Sequence, residues 1–179
     1  MSKALRSRKY VKVQVEGTSA QQFARVRDYC EEVRRASPGS SARVSELSGH
    51  TPMPYFEKMY VCLNACRKGF ESGCRPIISL DACHLRGQLK GQLLATVGID
   101  GNDGMYPIAY AVTEEETKGS WCWFLEKLLC DVDQGSEHGW CFISDQQKVS
   151  MLIFPLYNSL FIFVAYSYGY GLFTCSFQL

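Results

Sequence analysis

Apolar residues recur in short runs through the middle of the chain and predict a group of β-strands. Pro76–Leu80 is an apolar run, and Gln92–Ile99 and Tyr106–Thr113 are rich in residues that favour strands. The turn-forming sequence Asp-Gly-Asn-Asp-Gly at residues 100–104 separates the last two segments, so we expect them to form a hairpin. A fourth strand is expected over Trp140–Ile143.

Apolar residues spaced at helical intervals predict two helices that flank these strands. The first covers Gln21–Ala36, with Thr18 or Ser19 as its N-cap, and the second begins at Ser120. Three shorter elements complete the pattern: a strand over Ala42–Leu47, a strand over Lys58–Leu63 and a helix over Asn64–Phe70. The central order is therefore strand, strand, strand, helix, strand.

Two aspartates follow strands in this order, Asp81 after the first strand and Asp145 after the fourth. A right-handed crossover through the second helix would place the fourth strand beside the first and parallel to it. The two carboxylates would then lie at neighbouring strand ends, where Mg²⁺ accepts oxygen ligands and can act on a phosphodiester. Strand-terminal aspartates are also common turn formers, so the spacing alone leaves both interpretations open.

The composition is that of a folded chain of about one domain, with 179 residues, 46% hydrophobic and 21% charged. The net charge of +1 excludes a protein-wide basic field, but residues 1–35 carry nine Lys and Arg against four Asp and Glu. Five of these basic residues, Lys3, Arg6, Arg8, Lys9 and Lys12, form a basic arm at the start of the chain. We expect it either to be a solvated, mobile terminus or to contact nucleic-acid phosphates without reading sequence.

Nine cysteines are present, an odd number, and no secretory signal opens the chain, so a disulfide scaffold is not expected. Cys62, Cys66, Cys74 and Cys83-His84 offer four zinc ligands, but they lack the paired Cys-x-x-Cys spacing of compact zinc knuckles. We expect no structural zinc and a reducing compartment. His84 is expected to be a core residue at a strand end or to support a neighbouring ligand.

Residues 149–179 contain no Asp, Glu, Lys or Arg, which is unusual at the end of a soluble domain. Residues with T-rich codons dominate this tail, and Val149 can be encoded by GT followed by any base. The first interpretation is therefore an intron translated after Lys148. The alternatives are a membrane anchor over Met151–Phe173 and an ordinary core segment. Pro155 and several polar residues interrupt the anchor candidate, which argues against a membrane partner.

The segment Phe70–Lys148 resembles Mutator-like element (MULE) transposases, a family widespread in plant genomes, through GFESGCRPIISLDACHLRG, GQLLATVGIDGNDGMYPIAYAVTEEETKGSWCWFLEKL and FISDQQK. Upstream, TSAQQFARVRDYCEEVRRASPGS and YFEKMYVCLNACRKGF also resemble the family, so the resemblance covers roughly residues 5–148. It implies an α/β fold with a ribonuclease H-like mixed sheet, flanking helices and a DDE triad. Asp81 in SLDACHL matches the first acid, and Asp145 in ISDQQK matches the second.

The family's third acid, a Glu on a later helix, has no counterpart here because no acidic residue follows Asp145. The family also continues with Gly-Leu after QQK, where Val149-Ser150 stand in this sequence. We therefore expect the sheet to be incomplete at its C-terminus. Glu114, Glu115 and Glu116 are expected to be a solvated charge run rather than a substitute for the third acid.

The expected organisation is a basic arm at residues 1–17, a helical and α+β region at 18–70, the first part of the ribonuclease H-like domain at 71–148 and an uncharged tail at 149–179. The resemblance implies a fragment of a nuclear, cut-and-paste DNA transposase that uses Mg²⁺ or Mn²⁺ on transposon ends and target DNA. Its partners would include a second copy or a full-length transposase. We expect little or no activity without the third carboxylate. The alternatives are a non-catalytic, transposase-derived DNA-binding or regulatory protein and a tail-anchored membrane protein.

Sequencing of cDNA across codon 148 tests the origin of the tail. If the tail is translated intron, we expect some transcripts to join Lys148 directly to codons for Gly-Leu and to continue to a Glu. Transcripts that all read through to Leu179 would contradict the intron interpretation.

Overall fold

The computed structural model describes residues 3–17, 25–47, 55–86, 91–132, 140–144 and 162–165. The helices in these ranges are α1 (Lys3–Glu16), α2 (Val26–Ala36), α3 (Asn64–Gly73) and α4 (Lys118–Val132). The strands are β1 (Ser41–Leu47), β2 (Tyr55–Cys62), β3 (Cys74–Leu85), β4 (Gly91–Asp100), β5 (Met105–Thr113), β6 (Cys141–Ser144) and β7 (Ile162–Ala165).

The strands form one mixed sheet in the order β1-β2-β5-β4-β3-β6-β7. The first five strands in this order pair with antiparallel neighbours. On the other side, β6 pairs with β3 in parallel, and β7 pairs with β6 in parallel. The chain is therefore a mixed α/β protein, and the predicted placement of the fourth core strand beside the first, parallel to it, is confirmed.

The predicted hairpin is also confirmed, since β4 and β5 pair across the turn at residues 100–104. Asp100 Oδ1 accepts hydrogen bonds from the backbone N–H groups of Asn102 and Gly104, at 2.8 and 2.7 Å. Asp103 adopts a positive φ of 65°, which Asp tolerates better than most residues. Short polar side chains thus bend the backbone here, as the sequence indicates.

Several elements differ from their predicted extents. The helix expected over Gln21–Ala36 is described from Val26, while its expected N-cap, Thr18 or Ser19, lies outside the described residues. The strand expected over Lys58–Leu63 covers Tyr55–Cys62. The strand expected to end at Asp81 continues to Leu85, because β3 pairs with β4 as far as Leu85 and Gly91. The helix expected over Asn64–Phe70 continues to Gly73. In addition, the basic arm is helical over Lys3–Glu16, for which the sequence analysis predicted no regular structure.

The main core lies between the sheet and α4. Helix α4 contributes Trp121, Phe124, Leu125, Leu128 and Leu129, all buried. They pack on core-facing residues of the central strands, among them Ile78, Leu80 and Leu94. Trp121 is 0% exposed and packs α4 against the sheet. At the other end of the core, the rings of Phe70 and Trp140 lie 5.0 Å apart.

A smaller cluster covers part of the opposite face of the sheet. There α2 packs Cys30, Val26 and Val33 against β1 and β2. Tyr110 of β5 also joins this cluster, and its hydroxyl lies 3.1 Å from the hydroxyl of Tyr29. The sheet therefore carries α4 on one face and α2 on the other.

A buried carboxylate ties the upstream strands to α4. Asp131 accepts hydrogen bonds from the Ser41 hydroxyl at 2.6 Å and from the Tyr60 hydroxyl at 2.8 Å. Burial and the neighbouring negative charge raise the pKa of Tyr60, so it remains a donor to Asp131. Strands β1 and β2 thus share one sheet with the elements after residue 70, and Tyr60 and Cys62 of β2 belong to the main core.

Four residues of the uncharged tail join the sheet as β7. Ile162–Ala165 consists mainly of strand-forming residues, and a parallel partner occupies the backbone groups that β6 presents on this side. The rest of residues 149–179 lies outside the described part of the chain. No helix within the described ranges is long and apolar enough to cross a membrane.

A Gly98→Ala substitution is expected to destabilise the fold. A Cβ at this position would lie 2.7 Å from two ring carbons of Phe70, which is buried and cannot move aside. We expect a loss of about 1–3 kcal/mol in the free energy of unfolding, measured by urea denaturation.

The matched control is Gly101→Ala. A Cβ there meets no atom within 4 Å, so we expect no loss of stability. Equal destabilisation by the two substitutions would show that the contact with Phe70 is not the cause.

Candidate metal and nucleic-acid site

Asp81 lies where the pairing between β3 and β6 ends. Leu80 is opposite Ser144, the last residue of β6, and Asp81 is the next residue on β3. Because side chains alternate along a strand and Leu80 faces the core under α4, Asp81 projects from the other face. It is exposed there. Asp81 was predicted to stand at the end of its strand; it directly follows the last described pair with β6, whereas β3 itself continues with β4 to Leu85.

The Asp81 carboxylate is oriented by its own backbone. The N–H of Ala82 donates to Asp81 Oδ1 at 2.7 Å. None of the ion pairs within the described ranges involves Asp81. An exposed carboxylate with one oxygen held by an amide has the chemistry of a ligand for a hard divalent cation.

Asp145 lies outside the described residues, directly after Ser144 in the chain. The structure thus brings together the two strands that carry the predicted acids and describes one of the acids. No group of three or more His, Cys, Asp or Glu side chains in the described ranges is placed to hold a metal ion. Asp81 is the residue of this part of the chain that fits a divalent ion, and further ligands would have to come from elsewhere.

Two of the three glutamates after β5 contact the start of α4. The Glu116 carboxylate accepts a hydrogen bond from Trp121 Nε1 at 3.2 Å, and the Glu115 carbonyl accepts one from the Ser120 hydroxyl at 2.8 Å. Glu114 and Glu115 are exposed. These contacts give the segment a structural role at the N-terminus of the helix.

The candidate zinc cysteines, Cys62, Cys66, Cys74 and Cys83, are spread along the fold. Cys74 and Cys83 lie at the two ends of β3, roughly 30 Å apart at about 3.3 Å per residue, so they cannot bind one ion. Cys62 is buried, and its thiol donates to the Ile108 carbonyl at 3.6 Å. Burial raises the pKa of Cys62 to about 12, which disfavours the thiolate that zinc requires.

The basic residues of the N-terminal segment lie on α1. Lys3, Arg6 and Arg8 are exposed, whereas the side chains of Lys9 and Lys12 lie outside what the structure describes. At about 100° per residue, the three exposed charges spread around the helix instead of forming one stripe. Such an arrangement provides positive charge in several directions, which suits a phosphate backbone and not a particular base sequence.

The sequence did not predict the polar pair of Gln92 and His84 near Asp81. Gln92, at the start of β4, is only 8% exposed, and its amide Nε2 lies 2.6 Å from Nδ1 of His84. His84 is exposed, so it is not the core residue that was expected as one alternative. A signal was present, because Gln92 occupies a core-facing position in the alternation of β4, where an apolar residue would be usual.

Comparison with protein-family models matches residues 77–158 to the MULE transposase domain. The match covers slightly less than half of the chain and includes Asp81, α4 and Asp145. It ends ten residues past Lys148, where the resemblance was expected to stop. No curated protein matches the chain, and no solved structure does.

Substitution of Asp81 by Asn tests the predicted ion site. Mg²⁺ or Mn²⁺ at about ten times its dissociation constant should stabilise the wild-type chain by roughly 1.4 kcal/mol, a rise of a few degrees in Tm. Asp81→Asn should lose most of this rise, because the amide carries no charge. Differential scanning fluorimetry with and without the ion measures it.

Glu114→Gln is the control for the loss of one negative charge at an exposed position. It should keep the ion-dependent rise in Tm. If Asp81→Asn kept the full ion-dependent rise in Tm, the ion would bind somewhere else on the chain.

Proposed function

We propose, on the premise that residues 77–158 form a MULE transposase domain, that this chain contributes the first two acids of a DNA transposase site. A transposase domain implies DNA as the partner and, for the family in general, dependence on a divalent metal. The observation that carries the proposal is the parallel pairing of β3 with β6. The last described pair is Leu80 with Ser144, and in the sequence an aspartate follows each of these two residues.

The sheet supports the finer assignment to the ribonuclease H-like fold. Strands β3, β4 and β5 are consecutive and antiparallel, α4 follows, and β6 returns to the side of β3. The further strand β7 stands beside β6, the position of a fifth core strand. This order agrees with the one that the resemblance implies.

The two acids are proposed to share one ion. Continuation of the parallel register by one residue would set Asp145 opposite Asp81, on the face of the sheet away from α4. Neighbouring strands lie about 4.8 Å apart, a spacing at which two carboxylates on one face can bind the same Mg²⁺. The ion, when bound, would activate the attacking oxygen or stabilise the leaving oxygen of a phosphodiester. The Ala82 N–H would keep the Asp81 carboxylate in one orientation for it.

The third acid of the triad is absent from residues 146–179. Loss of one charged ligand at a phosphoryl-transfer site costs several kcal/mol, or roughly a thousandfold in rate. The proposal for these residues is therefore binding of the ion and DNA, with little cleavage or strand transfer unless a Glu is supplied from other sequence. A full-length transposase in the nucleus is the proposed partner for that step.

Helix α1 is the proposed non-specific DNA contact. Lys3, Arg6 and Arg8 are exposed, and residues 1–35 carry the excess of positive charge. The same observation also favours the second candidate, a non-catalytic DNA-binding or regulatory protein derived from a transposase. Ion-dependent DNA binding through Asp81 would separate the two, because the second candidate has no use for the acid.

Neutralising α1 should weaken DNA binding and reduce its dependence on salt. In the triple variant Lys3→Ala, Arg6→Ala, Arg8→Ala, the slope of log K against log salt should fall by about 1–2, because each phosphate contact releases about 0.9 of a counterion and residues on different sides of α1 do not all contact one duplex at once. Fluorescence anisotropy with a labelled duplex, between about 50 and 200 mM salt, gives the slope.

The control variant removes the same charge from other elements, by Arg25→Ala, Arg43→Ala and Lys68→Ala, which are also exposed. It should leave the slope nearly unchanged. No DNA binding by the wild-type chain at low salt would overturn the proposed function, and equal slopes for the two triple variants would remove α1 from it.

A further inference from the structure

His84 and Gln92 form a hydrogen-bonded pair near Asp81. His84 follows Asp81 by three residues on β3, about 10 Å along the strand, and lies directly opposite Gln92 of β4. Gln92 in turn lies opposite Thr113, the last residue of β5, which is also buried. Buried polar residues therefore form a row that ends at the exposed imidazole.

The contact within this pair selects the form of the imidazole. An amide nitrogen can only donate, so the 2.6 Å contact makes Gln92 Nε2 the donor and His84 Nδ1 the acceptor. The neutral ring then carries its proton on Nε2, on the far side of the ring from Gln92. Gln92 is almost fully buried, so its amide is held in place and fixes the orientation of the exposed His84 ring. The Nε2 N–H of His84 is then a donor with a fixed position.

The edge of β3 makes this donor reachable together with Asp81. Within the described ranges, β6 pairs with β3 only as far as Leu80, and continuation of that pairing by one residue to Asp145 would still leave residues 82–85 of β3 without a described partner on that side. Asp81 and His84 project from opposite faces of β3, but both border this open edge. An extended, negatively charged chain that runs along the edge can contact both residues. About 10 Å corresponds to the rise of about three nucleotides.

We propose that His84 donates a hydrogen bond from Nε2 to a phosphate of the DNA strand bound at Asp81, and that Gln92 is the residue that positions it. The inference rests on the proposed function and names one contact within it. The donor is neutral, so it holds the strand in place without adding to the counterion release that α1 supplies.

Substitution of His84 tests the contact in the full chain. We expect His84→Phe to weaken binding of a labelled DNA duplex by about tenfold at about pH 8 with Mg²⁺ present, since the lost hydrogen bond has a charged partner. The slope against salt should not change. His84→Gln, which offers an amide N–H at a similar distance from the backbone, should restore most of the affinity. Asn102→Ala, at the turn at the other end of β4, is the control and should bind as the wild type does.

The position of Gln92 is tested by a double-mutant cycle. Gln92→Met alone should weaken binding, and it should have little further effect in the His84→Phe background if it acts through His84. Wild-type affinity for His84→Phe, or no rescue by His84→Gln in a chain that still unfolds cooperatively, would overturn the inference and leave the proposed function in place. No binding by the wild-type chain would overturn both.

Discussion

The parallel pairing of β3 with β6 is the interaction on which the rest of the structure depends. It is formed by four residue pairs between segments more than sixty residues apart in sequence. Helix α4 makes it possible, because the helix carries the chain from the end of β5 back across the sheet to the start of β6. Burial of its large apolar side chains, each contributing about 1.5–3 kcal/mol, offsets the cost of closing this long connection.

Polar residues on different strands of the sheet are used in different ways. Near the C-terminus of α4, Asp131 is buried and both of its carboxylate oxygens accept hydrogen bonds, from Ser41 and Tyr60. These hydrogen bonds satisfy the buried polar groups and link β1 and β2 to α4. On β3, Asp81 and His84 are each held by one hydrogen bond and are otherwise exposed. Groups that are oriented but still accessible are those that can bind a ligand, which is why the site is proposed on this strand.

Much of the fold could be predicted because local patterns and tertiary contacts agree. The turn at residues 100–104 and the apolar face of α4 are encoded in adjacent residues, so the hairpin and the crossover were predictable. The length of β3 was not, because its last residues are held by pairing with β4 and not by their own apolar character. Gln92 was overlooked for a related reason. Its partner, His84, is close only once the two strands are in register.

The sequence by itself determined the order of the elements, the basic charge at the start of the chain and the presence of an acid after each of two apolar strands. The match of residues 77–158 to the MULE transposase domain is likewise a property of the sequence, since the motifs around Asp81 and Asp145 are runs of consecutive residues. The tertiary structure decided which strands are neighbours, that β1, β2 and β7 belong to the same sheet, and that the candidate zinc cysteines Cys74 and Cys83 lie far apart. The physical reason is that hydrogen-bond register and side-chain burial depend on contacts between distant residues, which no local pattern contains.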